Sequence, residues 1–209
     1  MRKFRKLYLL AAAATFLLGV STFQAARIIA SFVERSTSVS STLIAPVADY
    51  LVEEQNVYRA VMTHDFGRTN QQVVVNDATI KNHFEEGEDL DVLPGEAGLA
   101  ADTITDYRVK NRTSSQLTSP DLDTKLVSQN AVESFFGERG SGWQGFHKAY
   151  PDAHGLLTFS RVGFNQSGDQ ALVYVAFSCG GLCGEGRYFV LKKSGSIWVI
   201  NKIIPLWVS

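Results

Sequence analysis

The C-terminal part of the chain alternates short apolar runs with turn-forming residues, and this pattern constrains the fold more than any other feature. Four runs predict strands: Leu156 to Phe164, Ala171 to Phe177, Arg187 to Lys193 and Ser196 to Ile204. Turn formers separate these runs, among them the dipeptide Ser194-Gly195. The sequence therefore predicts an antiparallel four-stranded meander. Pro205 suits an edge or a bulge of that sheet, because proline has no backbone donor.

The preceding part of the chain carries the patterns of helices. From Pro46 to Met62 the apolar residues recur at helical spacing, which is typical of an amphipathic helix. Residues 102 to 117, capped by Asp102, and 131 to 136 predict two more helices, the last ended by the glycine-rich residues 137 to 145. Short runs at 73 to 75 and 126 to 127 predict strands. We expect the α+β class, with N-terminal helices packed on a C-terminal antiparallel sheet of four or more strands.

The N-terminus has the pattern of a targeting segment. Four basic residues lie within the first six, and the uncharged run Leu7 to Val20 follows them, as in a signal peptide. The uncharged run continues to Ala26, which is long enough for an uncleaved membrane anchor. We therefore expect residues 1–26 to be a signal peptide or anchor, 27–42 a Ser/Thr-rich linker and 43–209 a single α+β domain. Either alternative exports the domain, as a periplasmic, secreted or membrane-anchored protein tethered through residues 7–26.

The distribution of charge limits the partners. The net charge of -1 includes the basic N-terminal cluster, so the remaining chain is more acidic than this value indicates. Because binding to phosphates needs a clustered basic face, we expect no nucleic-acid partner. An acidic segment from Glu85 to Asp102 predicts a solvated loop. Its candidate calcium ligands lack the alternating spacing of an EF-hand: Glu88, Asp89, Asp91 and Glu96.

The segment Cys179 to Gly186 contains both cysteines and four glycines. Export to an oxidising compartment favours a disulfide between Cys179 and Cys183, and closure of so short a ring stabilises a fold by about 2 kcal/mol. A redox-active pair, a metal site and free thiols are the alternatives. The glycine amides also suit an anion-binding nest.

The sequence contains no nucleophile elbow, phosphate loop, zinc-binding helix or dinucleotide fingerprint. It has four histidines, His64, His83, His147 and His154. Of these, His64 with Asp65 and His147 with Asp152 have the residue types of a general base and its orienting carboxylate. We assign no catalytic, metal or cofactor-binding residue and no cofactor. The prediction is a noncatalytic module that binds a protein, glycan or small ligand, and the alternative is a hydrolase acting on cell-envelope material.

The C-terminal motifs resemble those of an uncharacterised group of small exported bacterial proteins. The resemblance covers about the last 60 residues and lies in five segments: Tyr150 to Gly155, Ser160 to Asn165, Ala171 to Val175, Cys179 to Gly186 and Trp207 to Ser209. The arrangement of helices before a sheet that closes with Lys192, Gly195 and Trp198 is also similar to NTF2-like domains. The resemblance implies export and an α+β fold, and it implies no activity.

Overall fold

The computed structural model describes residues 50–66, 72–81, 98–117 and 124–209. Residues 52–209 form one compact unit, and of a second unit, residues 1–51, only Tyr50 and Leu51 fall within the described ranges. The predicted targeting segment, the linker and the four candidate calcium ligands lie outside these ranges. Among the described helices, none is both long enough and apolar enough to cross a membrane.

The described residues form four helices and seven strands. The helices are α1 (residues 50–65), α2 (Ala101–Lys110), α3 (Gln129–Phe136) and α4 (Gly142–Ala149). The strands are β1 (Gln72–Asn76), β2 (Lys125–Val127), β3 (Ala153–Phe159), β4 (Gly163–Phe164), β5 (Gln170–Gly180), β6 (Cys183–Ser194) and β7 (Ile197–Val208). They form one sheet in the order β2-β1-β3-β5-β6-β7, with β4 paired to β5. The α+β class is confirmed.

The sheet has an antiparallel and a parallel part. The pairs β3–β5, β5–β6 and β6–β7 are antiparallel, which confirms the predicted meander. Strand β1 instead pairs in parallel with both β2 and β3. Parallel neighbours need a long crossover, so this part of the sheet depends on contacts between distant segments of the chain.

The two central strands, β5 and β6, are apolar on both faces. One face packs against α1 in a core cluster that includes Val173, Val175, Phe189, Leu191, Val57, Tyr58 and Val61. The opposite face packs against α2 in a second cluster that includes Leu172, Tyr174, Tyr188, Val190, Ile104 and Tyr107. A third cluster joins Phe146 of α4 to β1, β2 and β3. Helices therefore cover both faces of the sheet.

Helix α2 is shorter than predicted, and Asp102 is not its cap. The helix ends at Lys110, because Asn111 turns the chain and its side-chain amide donates to the carbonyls of Tyr107 and Arg161, at 2.8 and 3.0 Å. The N-cap is Ala100. Asp102 lies inside the first turn and accepts a hydrogen bond from the backbone N–H of Gln166, at 2.9 Å.

Two further predictions need correction. The run Leu156 to Phe164 is divided between β3 and β4, because Ser160 leaves the strand and accepts the backbone N–H of Tyr174 with its hydroxyl, at 2.9 Å. The glycine-rich residues 137–145 end α3 as predicted, with Gly137 as its C-cap, but a helix that was not predicted, α4, begins within them at Gly142, which has a φ of 61°. Pro205 does lie in the outermost strand, β7, next to a shift in the register of its pairing with β6.

Gly163 allows α2 to approach the sheet closely, because a Cβ atom there would collide with Tyr107 and with the backbone of Thr103. Overpacking of this kind costs about 1–3 kcal/mol. We expect Gly163→Ala to lower the free energy of unfolding by about 2 kcal/mol, measured by urea denaturation. Gly181→Ala is the control, since an added Cβ meets nothing within 4 Å there. Equal losses in both variants would contradict this account of the α2 contact.

Candidate functional site

A cleft of about 560 Å³ lies between α1 and the beginning of β7. Its helical wall consists of Asn56, Arg59, Ala60, Thr63 and His64. These residues share one side of α1, because they are spaced three and four positions apart. The opposite wall is a continuous segment of the hairpin, Ser196, Ile197, Trp198, Val199 and Ile200.

Glu53 fixes α1 to the β6–β7 hairpin near one end of this cleft. The buried Trp198 donates its indole N–H to one carboxylate oxygen of Glu53 at 2.7 Å. Lys193 donates to the other oxygen, also at 2.7 Å. Trp198 therefore lies in the core with its N–H satisfied. The two contacts hold a wall of the cleft in place.

Asp65 joins the C-terminal end of α1 to β6, as Glu53 joins the N-terminal part of α1 to the β6–β7 hairpin. One carboxylate oxygen is 2.7 Å from Nδ1 of His64, and the other accepts from Arg187 of β6 at 2.6 Å. Arg187 also lies 2.8 Å from Glu185. The imidazole of His64 is half exposed, whereas the carboxylate of Asp65 is 9% exposed. A largely covered carboxylate thus orients an accessible imidazole in the wall of the cleft.

Arg59 differs from the other cations that surround α1. Its guanidinium donates to the side-chain oxygen of Asn56 at 3.1 Å, and no described carboxylate forms an ion pair with it. Across the cleft, Ile197 and Val199 are 63% and 46% exposed. The cleft therefore combines a positive charge that lacks a counter-charge among the described residues with exposed aliphatic side chains.

The structure places the predicted histidines in separate locations. His64 and Asp65 come together, but no hydrogen bond joins His147 to Asp152; His147 instead packs on the ring of Trp143, with 5.7 Å between centroids. His154 stacks on Phe177, and His83 lies outside the described residues. Within the described ranges, no group of three or more His, Cys, Asp or Glu residues is arranged to hold a metal ion.

The disulfide between Cys179 and Cys183 is present at the tip of the β5–β6 hairpin, with 5.1 Å between the Cα atoms. This confirms the predicted pairing, and both cysteines are accounted for by the bridge. The tip exposes Leu182, whose side chain is 91% accessible. The bridge closes a hairpin connection that is distinct from the residues of the cleft.

The chain was compared with family models, curated proteins and solved structures, and none of the three comparisons found a match. The resemblance to the exported bacterial group and to NTF2-like domains therefore stays a prediction. Arg59 was not identified from the sequence. Its position on the same helical side as Ala60 and Thr63 was the available signal, but nothing local indicated that this side faces a sheet edge.

The contacts of Glu53 predict a pH dependence of stability. Burial raises its pKa, but hydrogen bonds from Lys193 and Trp198, with the charge of Lys193, outweigh burial and leave the pKa below its ordinary value of 4.5. A lowered folded-state pKa contributes stability above the unfolded-state pKa, and this contribution is lost as the pH falls through the folded-state value. We therefore expect Glu53→Gln to be less stable than wild type at neutral pH, and the difference to narrow below about pH 4.5.

Urea denaturation at a series of pH values measures this difference. Glu138→Gln, at an exposed turn, is the matched control. A destabilisation by Glu53→Gln that stays constant between neutral pH and about pH 3 would show that the carboxylate charge does not hold the hairpin.

Proposed function

We propose that this protein is an exported, noncatalytic binding module whose ligand occupies the cleft between α1 and β7. The observation that carries the proposal is the guanidinium of Arg59, which forms no ion pair with a described carboxylate and lines the cleft together with the exposed residues Ile197 and Val199. The basic N-terminus and its apolar run support export to the periplasm or beyond. A protein, a glycan or a small ligand is the partner class.

The physical argument rests on charge and size. A partly desolvated cation gains most from an anionic acceptor, because charge-assisted hydrogen bonds are about twice as strong as neutral ones. Clefts that hold ligands have volumes of roughly 300–1,000 Å³, and this cleft has about 560 Å³. Aliphatic contacts then add affinity as water leaves the surface. A ligand with both an anionic group and an apolar part fits these walls.

A second candidate is a hydrolase, and the contact between His64 and Asp65 favours it. A carboxylate that holds Nδ1 leaves Nε2 of a neutral imidazole available as a general base. Arg187 shares the same carboxylate and weakens the stabilisation that Asp65 would give to an imidazolium. This candidate predicts hydrolysis of p-nitrophenyl acetate that falls at least about 100-fold in His64→Gln and is unchanged in His147→Gln. Equal rates in the two variants would exclude it.

The binding proposal is tested with an environment-sensitive fluorophore in the cleft. Because the native cysteines are bridged, a single introduced cysteine in Thr63→Cys can be labelled selectively. The probes are the low-molecular-weight and macromolecular fractions of the envelope of the native host. We expect one fraction to shift the emission of the label.

Two controls make this result specific. The same label in Gln144→Cys, on the exposed side of α4, should not respond. Adding Ala60→Trp to the Thr63→Cys protein should abolish the response, because the indole fills the cleft. A response that survives this substitution, or the absence of a response to either fraction, would overturn the proposal.

A further inference from the structure

The cleft follows the backbone edge of β7. Side chains of a strand alternate between two faces, so a pocket on one face is lined by every second residue. Here five consecutive residues, 196–200, line the cleft together. Trp198 and Ile200 belong to the core side that α1 covers, whereas Ile197 and Val199 are exposed. The opening therefore lies beside the edge of the strand, between that edge and α1.

The edge of β7 has backbone N–H and C=O groups that are directed away from β6. Among the described strands, β7 pairs only with β6. Ser194 and Ile197 flank the two-residue turn of the hairpin, so they form a hydrogen-bonded pair. Antiparallel pairs alternate, and the N–H and C=O groups of Trp198 and Ile200 are therefore directed away from β6. Both residues line the cleft.

The rest of β7 is poorly suited to accept another strand. The register shifts after Ile200, where Asn201 is the extra residue, and again at Leu206. Pro205, between these bulges, has no N–H to donate. Bulges and proline are the features that prevent edge strands from pairing. Residues 197–200 and 202–205 each pair with β6 in unbroken register, and of these two segments only 197–200 lacks a proline and lines the cleft.

The charges of the cleft indicate the chemistry of the partner. Lys193 and Arg187 flank the cleft, and each already pairs with a carboxylate of α1. Arg59 lies between these two ion pairs along α1 and has no such partner among the described residues. Arg59 is near the middle of the helical wall. A partner segment that runs along the whole cleft therefore places an acidic side chain, rather than its C-terminal carboxylate, next to Arg59. Arginine binds a carboxylate with two parallel hydrogen bonds.

We propose that an extended segment of a partner protein adds as a strand to residues 197–200 of β7, with an Asp or Glu side chain bound by Arg59. The proposal rests on the proposed function of the cleft and specifies its ligand. Main-chain hydrogen bonds supply affinity in this mode of recognition, and alternate side chains supply specificity. In such a strand the two residues next to the acidic residue lie on the same face of the sheet as Ile197 and Val199, and the residues two positions away lie on the side of α1.

The probes are four fluorescent libraries of end-capped heptapeptides, randomised except at the central position. One has Glu at the centre and one has Gln. The other two have Glu at the centre and alternate backbone amides methylated, each library in one of the two possible phases. Fluorescence anisotropy with the full chain should show binding at least about tenfold tighter for Glu than for Gln. One phase of methylation should abolish binding and the other should not, since only alternate amides of an added strand face β7.

Arg59→Gln should remove the preference for Glu over Gln, whereas Arg139→Gln, at an exposed turn, should retain it. Equal binding of the two central residues, or equal loss with both methylation phases, would overturn the proposal. A cleft fluorophore that responds to envelope fractions but not to the Glu library would leave the binding function intact and reject the added strand. Absence of both responses would reject the two proposals together.

Discussion

The structure depends on one constraint, which is that the central strands β5 and β6 are apolar on both faces. Each buried Val, Leu or Phe side chain stabilises a fold by about 1.5–3 kcal/mol, so neither face of these strands can be left in water. Helix α1 covers one face and α2 covers the other. A partly exposed ion pair such as that of Glu53 with Lys193 contributes only about 0–1 kcal/mol. Packing therefore decides that α1 lies on the sheet, and the contacts of Glu53 and Asp65 select its orientation there.

The orientation of α1 creates the cleft. The side of the helix that carries Val57 and Val61 packs on the central strands. The adjacent side, with Ala60 and His64, faces β7, which no described strand extends further. The cleft thus forms because α1, which covers one face of the sheet, lies next to the edge strand β7.

The meander was predictable because its signals are local. Alternation along a strand and glycine in the turn at Gly195 identify hairpins from neighbouring residues alone. The parallel pairing of β1 with β2 and β3 was not predictable, since it depends on segments that are far apart in sequence. Helix α4 was missed because its glycines hid the helical spacing of Trp143, Phe146 and Tyr150, which pack together with α3.

The candidate site was predictable only in part, because some of its residues come from segments that are far apart in sequence. His64 and Asp65 are adjacent in sequence, so their contact was a natural hypothesis. The pair His147 and Asp152 failed because α4 ends at Ala149 and its aromatic residues hold His147 against Trp143. The meeting of Arg59 with the edge of β7 is a tertiary contact between positions almost 140 residues apart, and no local pattern records it.

The short regular edge of β7 has a further consequence for the behaviour of the protein at high concentration. Sheets that stack into fibrils need segments of about six or seven residues with continuous pairing. Here the bulge at Asn201 ends the regular edge after residues 197–200, and the opposite edge strand, β2, has three residues. The continuous segments at both edges of the described sheet are therefore shorter than those from which fibrils grow, so an added strand at β7 would have only a short segment with which to pair.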